Sequence, residues 1–367
     1  MQATKAIIYL NNLRQNIQTV RHRVGPHPKI CFPVKADGYG HGAVDISRYA
    51  LEAGVEYLAV TSVAEGNELR LGGINAPVLL LAQTQPDELA DIMSLDLIPL
   101  VSDGEYIEKA ASAAKLAGKK LCLHLKINTG MGRLGCRPED AVDLAVKIAS
   151  DKNLIFGGVA THLSVSDSLD PEDIAYTKGQ LCRFREAVAA IREAGLEPPI
   201  VHAANSGGVA FHEDSFFDMV RPGIFLYGYM HGFSNPPLSP VMELRSAVVY
   251  IHKVKKGEAV SYGRTWVAPE DTNIGVIPLG YSEGIPRLLS NNHSLSIRGK
   301  SYPLVGRICM NLCHVNLGKD TEVQRWDEAV IFGPEFITAA DIAGKCNTIA
   351  YEITCNIKRQ VPRVYQA

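Results

Sequence analysis

The sequence predicts an α/β protein in which an N-terminal (β/α)8 barrel precedes a smaller, mostly β domain. The length of 367 residues exceeds what one hydrophobic core usually covers. As far as residue 235, short apolar runs alternate with amphipathic stretches of helical period. Beyond it, short β-branched runs are separated by turn residues. We therefore expect two domains, 1–235 and 236–367.

Eight apolar runs in the first domain are predicted to be strands, the number found in a closed parallel barrel. They are Ile30–Val34, Tyr57–Val60, Pro77–Leu81, Leu97–Val101, Leu121–Ile127, Gly157–Thr161, Ile200–Ala203 and Asp218–Pro222. Amphipathic helices are predicted between them at Asn11–Val24, Val63–Leu71, Asp103–Ala117, Ala141–Ser150 and Pro171–Ala194. This pattern indicates a TIM barrel, with a doubly wound open sheet as the alternative.

The boundary between the domains is predicted within GFSNPPLSP, residues 232–240, because Pro, Ser and Gly are concentrated there. The strand pattern that follows is interrupted by only two stretches of helical character, Ala339–Lys345 and Thr348–Cys355. A mostly antiparallel β domain is the expected result.

Charge and composition point to a small-molecule partner in the cytoplasm. The formal net charge of −2 provides no long-range attraction for nucleic acid or for anionic membranes. No apolar run is long enough to span a membrane or to serve as a signal peptide. The eight cysteines are scattered without a C-x-x-C pair, so we expect them to be reduced. Cys309, Cys313 and His314 lack a second ligand pair, and no metal site is predicted.

Polar or glycine-rich segments follow several of the predicted strands. They are VKADGYGHG from Val34, NTGMGRLG from Asn128, THLS from Thr161, NSGG from Asn205 and RPGIFLYG from Arg221. In a parallel barrel the carboxyl ends of all strands open on one face. We therefore expect these segments to converge on one site.

Lys35 lies at the mouth of the predicted barrel. A lysine partly desolvated there can have a lowered pKa and form a Schiff base, although a solvated lysine entering a loop is the alternative. Asn205, Ser206 and Arg221 belong to the last two loops, where barrels of this type often bind phosphate. On its own, however, Arg221-Pro222-Gly223 could be a surface turn, and neither segment is a P-loop.

Together with VSYGRTW, GYSEG, VGRICMN and YEI, these segments occur in an order that closely resembles the alanine racemases over nearly the whole chain. The resemblance implies a pyridoxal-phosphate (PLP) enzyme that interconverts L-alanine and D-alanine and supplies D-alanine for cell-wall peptidoglycan. It also implies a homodimer with active sites built across the subunit interface.

The resemblance also assigns roles to particular residues. The cofactor contacts that it implies are Lys35, Tyr39, His162, Ser206, Arg221, Gly223, Ile224 and Tyr351. Asn205, from the segment NSGG, is also expected to contact the cofactor. Lys35 matches the lysine that holds the cofactor covalently, and Arg221 the arginine that faces the pyridine nitrogen. Arg133 looks like the arginine that orients the substrate carboxylate, the cofactor's phenolic oxygen, or both.

Two further matches, Tyr262 and Met310, are expected to act across the subunit interface, and two more are expected at the entrance. Tyr262 resembles the tyrosine that reaches in from the other subunit, and Met310 the residue whose backbone N–H meets the substrate. Tyr281 and Tyr351 resemble the aromatic pair that narrows the entrance. Racemisation needs one base on each face of a planar intermediate, so Lys35 and Tyr262 are the expected pair. A tyrosine is a poor base at neutral pH, and we expect His162 to tune it.

Two positions depart from the family pattern, because Asn128 and Asn311 replace its usual aspartates. They put the substrate preference and the charge around Arg133 in question. Lys126 matches a lysine that is carbamylated in some relatives. The alternatives are a racemase for serine or a broader set of amino acids, a decarboxylase of the same class, and a non-catalytic PLP-binding barrel. The presence of the β domain argues against the last.

Overall fold

A closed barrel of eight parallel strands forms the N-terminal part of the computed structural model, which describes residues 3–367. Strand β1 (Lys5–Tyr9) precedes the barrel. The barrel strands are β2 (Lys29–Pro33), β3 (Tyr57–Val60), β4 (Val78–Leu80), β5 (Leu97–Val101), β6 (Leu121–Lys126), β7 (Leu154–Ala160), β8 (Val201–His202) and β9 (Met219–Val220). Neighbouring strands pair in parallel, and β2 pairs with β9 to close the ring. The predicted barrel is confirmed and the open sheet is wrong.

Helices connect the barrel strands on the outside. They are Leu10–Val24, Ala43–Glu52, Val63–Leu71, Leu89–Ser94, Gly104–Ala117, Ala141–Ser150, Pro171–Glu193 and Ser206–Phe211. Short 3₁₀ turns lie at Pro86–Glu88, Pro138–Asp140 and Glu213–Ser215. Each of the five predicted helices is present with ends that differ by at most one residue. At one such end Asp103 is the N-cap, and its side chain accepts a hydrogen bond from the Tyr106 backbone N–H.

The C-terminal part is mostly β, as predicted. Its strands are β10 (Met242–Ala247), β11 (Tyr250–Val254), β12 (Ala259–Val260), β13 (Trp266–Val267), β14 (Thr272–Ile277), β15 (Ser294–Ile297), β16 (Lys300–Pro303), β17 (Cys313–Gly318), β18 (Glu328–Phe332) and β19 (Arg363–Gln366). Strands β11, β14 and β17 form a three-stranded sheet of order β11-β14-β17, and β12 pairs with β13. The two helices are Ala339–Cys346 and Ala350–Cys355, with 3₁₀ turns at Tyr262–Arg264 and Arg287–Leu289.

The first strand crosses from one part of the chain to the other. β1 lies in a six-stranded sheet of order β16-β15-β18-β10-β1-β19, where it pairs antiparallel with β10 and parallel with β19. Ile7, for example, is opposite both Glu243 and Val364. The continuous division at residue 235 therefore does not describe this strand, which packs with the C-terminal sheet.

One large core runs through both parts, since residues such as Ile8, Phe32, Met242 and Phe332 belong to the same buried cluster. The helix Ala350–Cys355 packs against the segment that follows β2 and so lies at the barrel mouth. Within residues 3–367, none of the helices combines the length and the apolar character needed to cross a membrane.

Candidate active site

A cavity of about 1210 Å³ opens at the carboxyl ends of the barrel strands. Most of the predicted site residues line it: Lys35, Tyr39, Arg133, His162, Asn205, Ser206, Arg221, Gly223, Ile224 and Tyr351. The predicted convergence of the strand-end segments is therefore present. Among residues 3–367, no group of three or more His, Cys, Asp or Glu side chains is placed to hold a metal ion.

Lys35 begins an unusual turn directly after β2. The next four residues have left-handed backbone conformations, with φ of 51° at Ala36, 55° at Asp37, 60° at Gly38 and 53° at Tyr39. Residues with a Cβ adopt this region at a cost of roughly 1–2 kcal/mol each, so the surroundings must stabilise the turn. The turn brings both the Lys35 and the Tyr39 side chains to the cavity wall.

Hydrogen bonds hold the left-handed turn in place. The Ala36 N–H donates to Glu65 at 2.7 Å, and the Asp37 carboxylate accepts from the Ala43 N–H at 3.1 Å. The buried His41 ring contacts the Gly38 and Tyr39 carbonyl oxygens through Nδ1, at 3.0 and 2.9 Å. Burial lowers the pKa of His41 to about 3, so the ring is neutral and Nδ1 carries the donated proton.

Four cationic side chains face the cavity. Burial lowers the pKa of Lys35, and the positive charge of Arg133 lowers it further. Lys126 is only 6% exposed, and burial together with the charges of Arg221, Arg133 and Lys35 lowers its pKa to about 7. The site is therefore built for anionic groups, and Lys126 can lose a proton near neutral pH.

The Arg221 guanidinium is held in one orientation by the barrel interior. It donates to the Thr161 and Ala203 carbonyl oxygens at 2.8 and 3.1 Å and to His202 Nδ1 at 2.7 Å. His202 Nε2 lies 2.9 Å from His124 Nδ1. Burial lowers the pKa of both histidines, His124 to about 3, and the Arg221 charge adds to the effect.

The hydrogen-bond partners determine the tautomers in this chain of groups. Because Arg221 can only donate, His202 accepts at Nδ1 and carries its proton on Nε2, which donates to His124. The Arg221 pKa is lowered to about 10 by burial, so the guanidinium stays charged at neutral pH. Arg221 is thus a fixed cation in the cavity wall.

His124 and His202 did not emerge from the sequence as site residues. A signal for His124 exists, because His124 and Lys126 are two apart on β6 and share one face of the strand. Polar side chains at alternate positions of a buried barrel strand indicate an inward-facing polar site.

A small cradle lies opposite Tyr39. The Ser206 hydroxyl accepts hydrogen bonds from the backbone N–H groups of Gly223 and Phe225, at 2.9 and 3.2 Å. A Cβ at Gly223 would lie 2.8 Å from the Tyr39 hydroxyl oxygen, so only glycine leaves this space open. Tyr39 is fixed from behind by stacking on Tyr227, with ring centroids 4.7 Å apart.

Asn205 lines the cavity, but its side chain is engaged elsewhere. Its Oδ1 accepts from the Gly208 N–H and from the Ser166 hydroxyl, at 3.0 and 2.6 Å. Its Nδ2 donates to the Leu163 carbonyl oxygen at 3.0 Å. The side chain therefore caps the helix Ser206–Phe211 and orients Ser206.

Three predicted site residues do not reach this cavity within their own chain. The side chains of Tyr262, Tyr281 and Met310 lie in the C-terminal part and are 72%, 42% and 56% exposed. The only tyrosine of the expected entrance pair that lines the cavity is Tyr351. The sequence prediction that Tyr262 acts across a subunit interface requires this separation.

These exposed residues belong to one interlocked unit, which we call the exposed loop cluster: residues 260–264, 280–283 and 306–311. The Tyr281 N–H donates to the Cys309 carbonyl oxygen at 3.2 Å, and the Ser282 N–H to that of Met310 at 2.9 Å. The Ser261 hydroxyl donates to the Arg307 carbonyl oxygen at 2.6 Å. The three segments therefore position Tyr262, Tyr281 and Met310 relative to one another.

The two departures from the family pattern differ in their structural consequences. Asn128 uses its Oδ1, which accepts from the Gly130 and Gly132 N–H groups at 3.2 and 3.0 Å, as an aspartate oxygen could. Asn311 instead uses its Nδ2, which donates to the Ser282 hydroxyl at 2.6 Å and to the buried Glu283 carboxylate at 3.0 Å. An aspartate could not make these bonds.

The fold and the cavity together define a class of protein: a (β/α)8-barrel enzyme that binds an anionic cofactor beside a lysine of lowered pKa. Models of the alanine racemase N-terminal and C-terminal domains match residues 8–231 and 241–365. The chain belongs to the alanine racemase family.

Relatives match over their full length. The chain is 46% identical to the alanine racemase of Treponema denticola, over 100% of this chain and 98% of that protein. It is 40% identical to that of Treponema pallidum, over 100% of both. The alanine racemase structure from Clostridium difficile 630 has a TM-score of 0.95 and 34% identity, over 100% of this chain and 96% of the other. That from Streptomyces lavendulae has a TM-score of 0.92 and 33% identity, over 100% and 98%.

Alanine racemases depend on PLP, and the cavity fits this group. The open cradle at Gly223 is lined by the Ser206 and Tyr39 hydroxyl groups, which can donate hydrogen bonds to a phosphate. Arg221 supplies a fixed cation, and Lys35 supplies an amine with a lowered pKa. These three features match the phosphate, the ring nitrogen and the aldehyde of the cofactor.

Proposed function

We propose that this protein interconverts L-alanine and D-alanine with PLP, using Lys35 as one base and the partner subunit's Tyr262 as the other. The observation that carries the proposal has two parts. Lys35 and the residues expected to bind the cofactor line one cavity, and Tyr262 is exposed in the other part of the chain. A second copy of the chain is the natural source of the missing base.

Lys35, Tyr39, Ser206, Gly223, Ile224, Arg221 and Tyr351 would hold the cofactor. When bound, it withdraws electrons from the substrate Cα and makes the Cα–H bond more acidic. The Arg221 guanidinium, charged and fixed by Thr161, Ala203 and His202, disfavours a proton on the ring nitrogen. It therefore limits the electron withdrawal and with it side reactions such as transamination.

The proton transfers fall to the chain's own groups. Burial and the charge of Arg133 lower the pKa of Lys35, which eases the release of a proton from Nζ, and Lys35 transfers the proton on one face of the substrate. Arg133, on the cavity wall, binds the substrate carboxylate. Tyr262 acts on the opposite face, next to the neutral His162.

A homodimer follows from this division of roles. The exposed loop cluster presents Tyr262, Tyr281 and Met310, an aromatic and apolar group whose members are each 42% or more exposed in the single chain. Such a patch is typical of an interaction surface. Placed over the cavity of a second copy, it would supply the base, the substrate N–H donor and the second entrance tyrosine.

A mixing experiment tests this arrangement. The Lys35→Ala and Tyr262→Phe variants should each be nearly inactive, because each lacks one base at every site. Heterodimers refolded from an equal mixture contain one site with both bases, so activity should return to about a quarter of the wild-type value. If mixing restores nothing although heterodimers form, Tyr262 does not act across the interface.

The substrate and the cofactor are tested directly. Borohydride reduction followed by peptide mass analysis should place the cofactor on Lys35. In deuterated water, L-alanine should exchange its Cα proton and invert. A serine or broad-specificity racemase is the remaining alternative, and faster inversion of L-serine than of L-alanine would support it.

We also propose that the protein works in the cytoplasm. All eight cysteines are free thiols, and most are at least partly buried. A reducing compartment maintains this state. Finding the protein in a secreted fraction with cysteines oxidised in pairs would contradict the proposal.

A further inference from the structure

Ser261, the residue before Tyr262, has a backbone conformation that is unusual for any residue but glycine. Its φ is 66° and its ψ is −179°. In this region a Cβ clashes with the backbone, and the cost is of order 1–3 kcal/mol. The two residues that follow Tyr262 also have positive φ, 71° at Gly263 and 50° at Arg264. Ser261, directly before Tyr262, and Arg264, two residues after it, are therefore both in conformations that a residue with a Cβ disfavours.

The strained turn is clamped to the neighbouring segment 306–309. The Ser261 hydroxyl donates to the Arg307 carbonyl oxygen at 2.6 Å and lies 3.5 Å from Cys309 Sγ. A Cβ at Gly306 would lie 2.8 Å from the Ser261 Cβ, and one at Gly263 would lie 3.0 Å from the Arg307 guanidinium carbon. The turn has no room to relax toward this segment.

The side chain of Tyr262 has no such clamp of its own. It is 72% exposed, and its hydroxyl makes no hydrogen bond to any residue in the described range 3–367. The backbone therefore sets the orientation of the Tyr262 side chain, and the Ser261 hydroxyl holds that backbone in place.

We propose that Ser261 is a positioning residue. Its hydrogen bond to the Arg307 carbonyl oxygen stabilises the strained backbone conformation, and this conformation points the Tyr262 side chain in the direction required for proton transfer. The proposal rests on the function proposed above, in which Tyr262 is the second base. Strain that persists next to a reacting group, and is over-determined by its surroundings, is a recurrent sign of such a role.

Two substitutions separate strain from hydrogen bonding. Ser261→Ala removes the hydroxyl and keeps the Cβ, whereas Ser261→Gly removes both. We expect Ser261→Gly to unfold at a higher temperature than Ser261→Ala, because glycine accepts this φ and ψ. Ser112 is the matched control: its hydroxyl also donates to a backbone carbonyl oxygen, that of Glu108 at 2.9 Å, within the helix Gly104–Ala117. There the order should reverse, with alanine more stable than glycine.

Activity should not follow stability at Ser261. Both Ser261 variants of the PLP-loaded dimer should lose about 10-fold to about 100-fold in kcat/KM for alanine, because a misplaced base slows proton transfer. Ser261→Gly should be no more active than Ser261→Ala although it is more stable. The Ser112 variants should keep wild-type kinetics.

An isotope effect distinguishes positioning from a general structural role. The equilibrium constant between enantiomers is one, so kcat/KM must fall equally in both directions and cannot identify the affected base. The primary deuterium effect at Cα can: it should rise for the enantiomer whose proton Tyr262 removes and should not rise for the other, because there the slowed Tyr262 step follows C–H cleavage. A general structural defect would not change the isotope effect of one enantiomer in this way, so such a result identifies a misplaced Tyr262.

The inference is overturned if Ser261→Ala keeps kcat/KM within about twofold of wild type, or if Ser261→Gly recovers activity together with stability. If Tyr262→Phe loses activity while the Ser261 variants do not, this inference alone fails. If Tyr262→Phe retains full activity, the proposed function and the inference fail together.

Discussion

Replacing Asn311 by aspartate should make the exposed loop cluster sensitive to pH. In the wild-type protein Asn311 Nδ2 donates to Ser282 and to Glu283, whose carboxylate is only 7% exposed and also accepts from the Gly280 N–H at 2.7 Å. In Asn311→Asp, two carboxylates would lie about 3 Å apart and both donated bonds would be lost.

The size of the effect follows from these contacts. At an effective dielectric constant near 20, two charges at this separation repel by about 5 kcal/mol, which solvent at the exposed Asn311 reduces to roughly 1–2 kcal/mol. Loss of hydrogen bonds to a charged acceptor adds about 1–3 kcal/mol. We therefore expect Asn311→Asp to lower the free energy of unfolding by roughly 2–5 kcal/mol when both carboxyls are ionised.

The sign of the pH dependence can be stated. Repulsion raises the pKa of the new carboxyl in the folded state, so below that pKa a proton is shared and an O–H···O bond replaces the lost one. The stability deficit should be small near about pH 5 and fully developed by about pH 8. Thermal unfolding and kcat/KM for alanine, both measured across this range, would report it.

Two matched variants make the test decisive. Asn128→Asp is also a return to the family's usual residue, but its oxygen keeps both backbone donors, so it should show little pH-dependent loss. Asn311→Leu removes the donors without adding charge and should lose stability equally at all pH values. If Asn311→Asp and Asn128→Asp behave alike across the pH range, the argument from the Glu283 contact is refuted.

Three further outcomes are expected. Ser206→Ala leaves the buried N–H groups of Gly223 and Phe225 without their acceptor and should reduce the free energy of unfolding by about 2–4 kcal/mol, measured by denaturant titration of the apo-protein. Gly223→Ala crowds the Tyr39 hydroxyl at 2.8 Å and should weaken PLP binding by about 10-fold to about 100-fold in an absorbance titration. The Lys126 pKa of about 7, below its ordinary 10.5, means that the unfolded chain binds more protons between these values, so stability should rise with pH there. Lys126→Met should abolish that rise, and intact mass after exposure to bicarbonate should show one added carbon dioxide if the neutral amine is carbamylated.

The barrel could be predicted because its information is local. Each strand is a short apolar run, each helix has its own period, and caps such as Asp103 mark the boundaries. The placement of β1 could not be predicted in this way. Ile7 is apolar in either domain, and its partners Glu243 and Val364 are defined only once the whole chain has folded.

The cofactor cavity was predictable to a similar degree, since strand-end segments in a closed barrel must converge. The roles within it were less accessible. Asn205 reads as a binding residue in the sequence, yet its polar atoms are all committed to Ser166, Gly208 and Leu163. His202 reads as an ordinary strand residue, although it orients Arg221 at 2.7 Å. Such assignments depend on which atoms face each other, which spacing along the chain does not contain.

The two proposed bases share one structural feature, a strained backbone next to them, which neither secondary-structure propensity nor the hydrophobic pattern predicts. Of the eleven non-glycine residues with positive φ that the structure describes, five lie in the turn after Lys35 or beside Tyr262. Ala36, Asp37 and Tyr39 follow the first base, Lys35, and Ser261 and Arg264 flank the second, Tyr262. A sequence selected for local consistency alone would avoid these conformations, because a residue with a Cβ disfavours each of them. Their concentration at the two bases indicates that the direction of each side chain, rather than local stability, determines these turns.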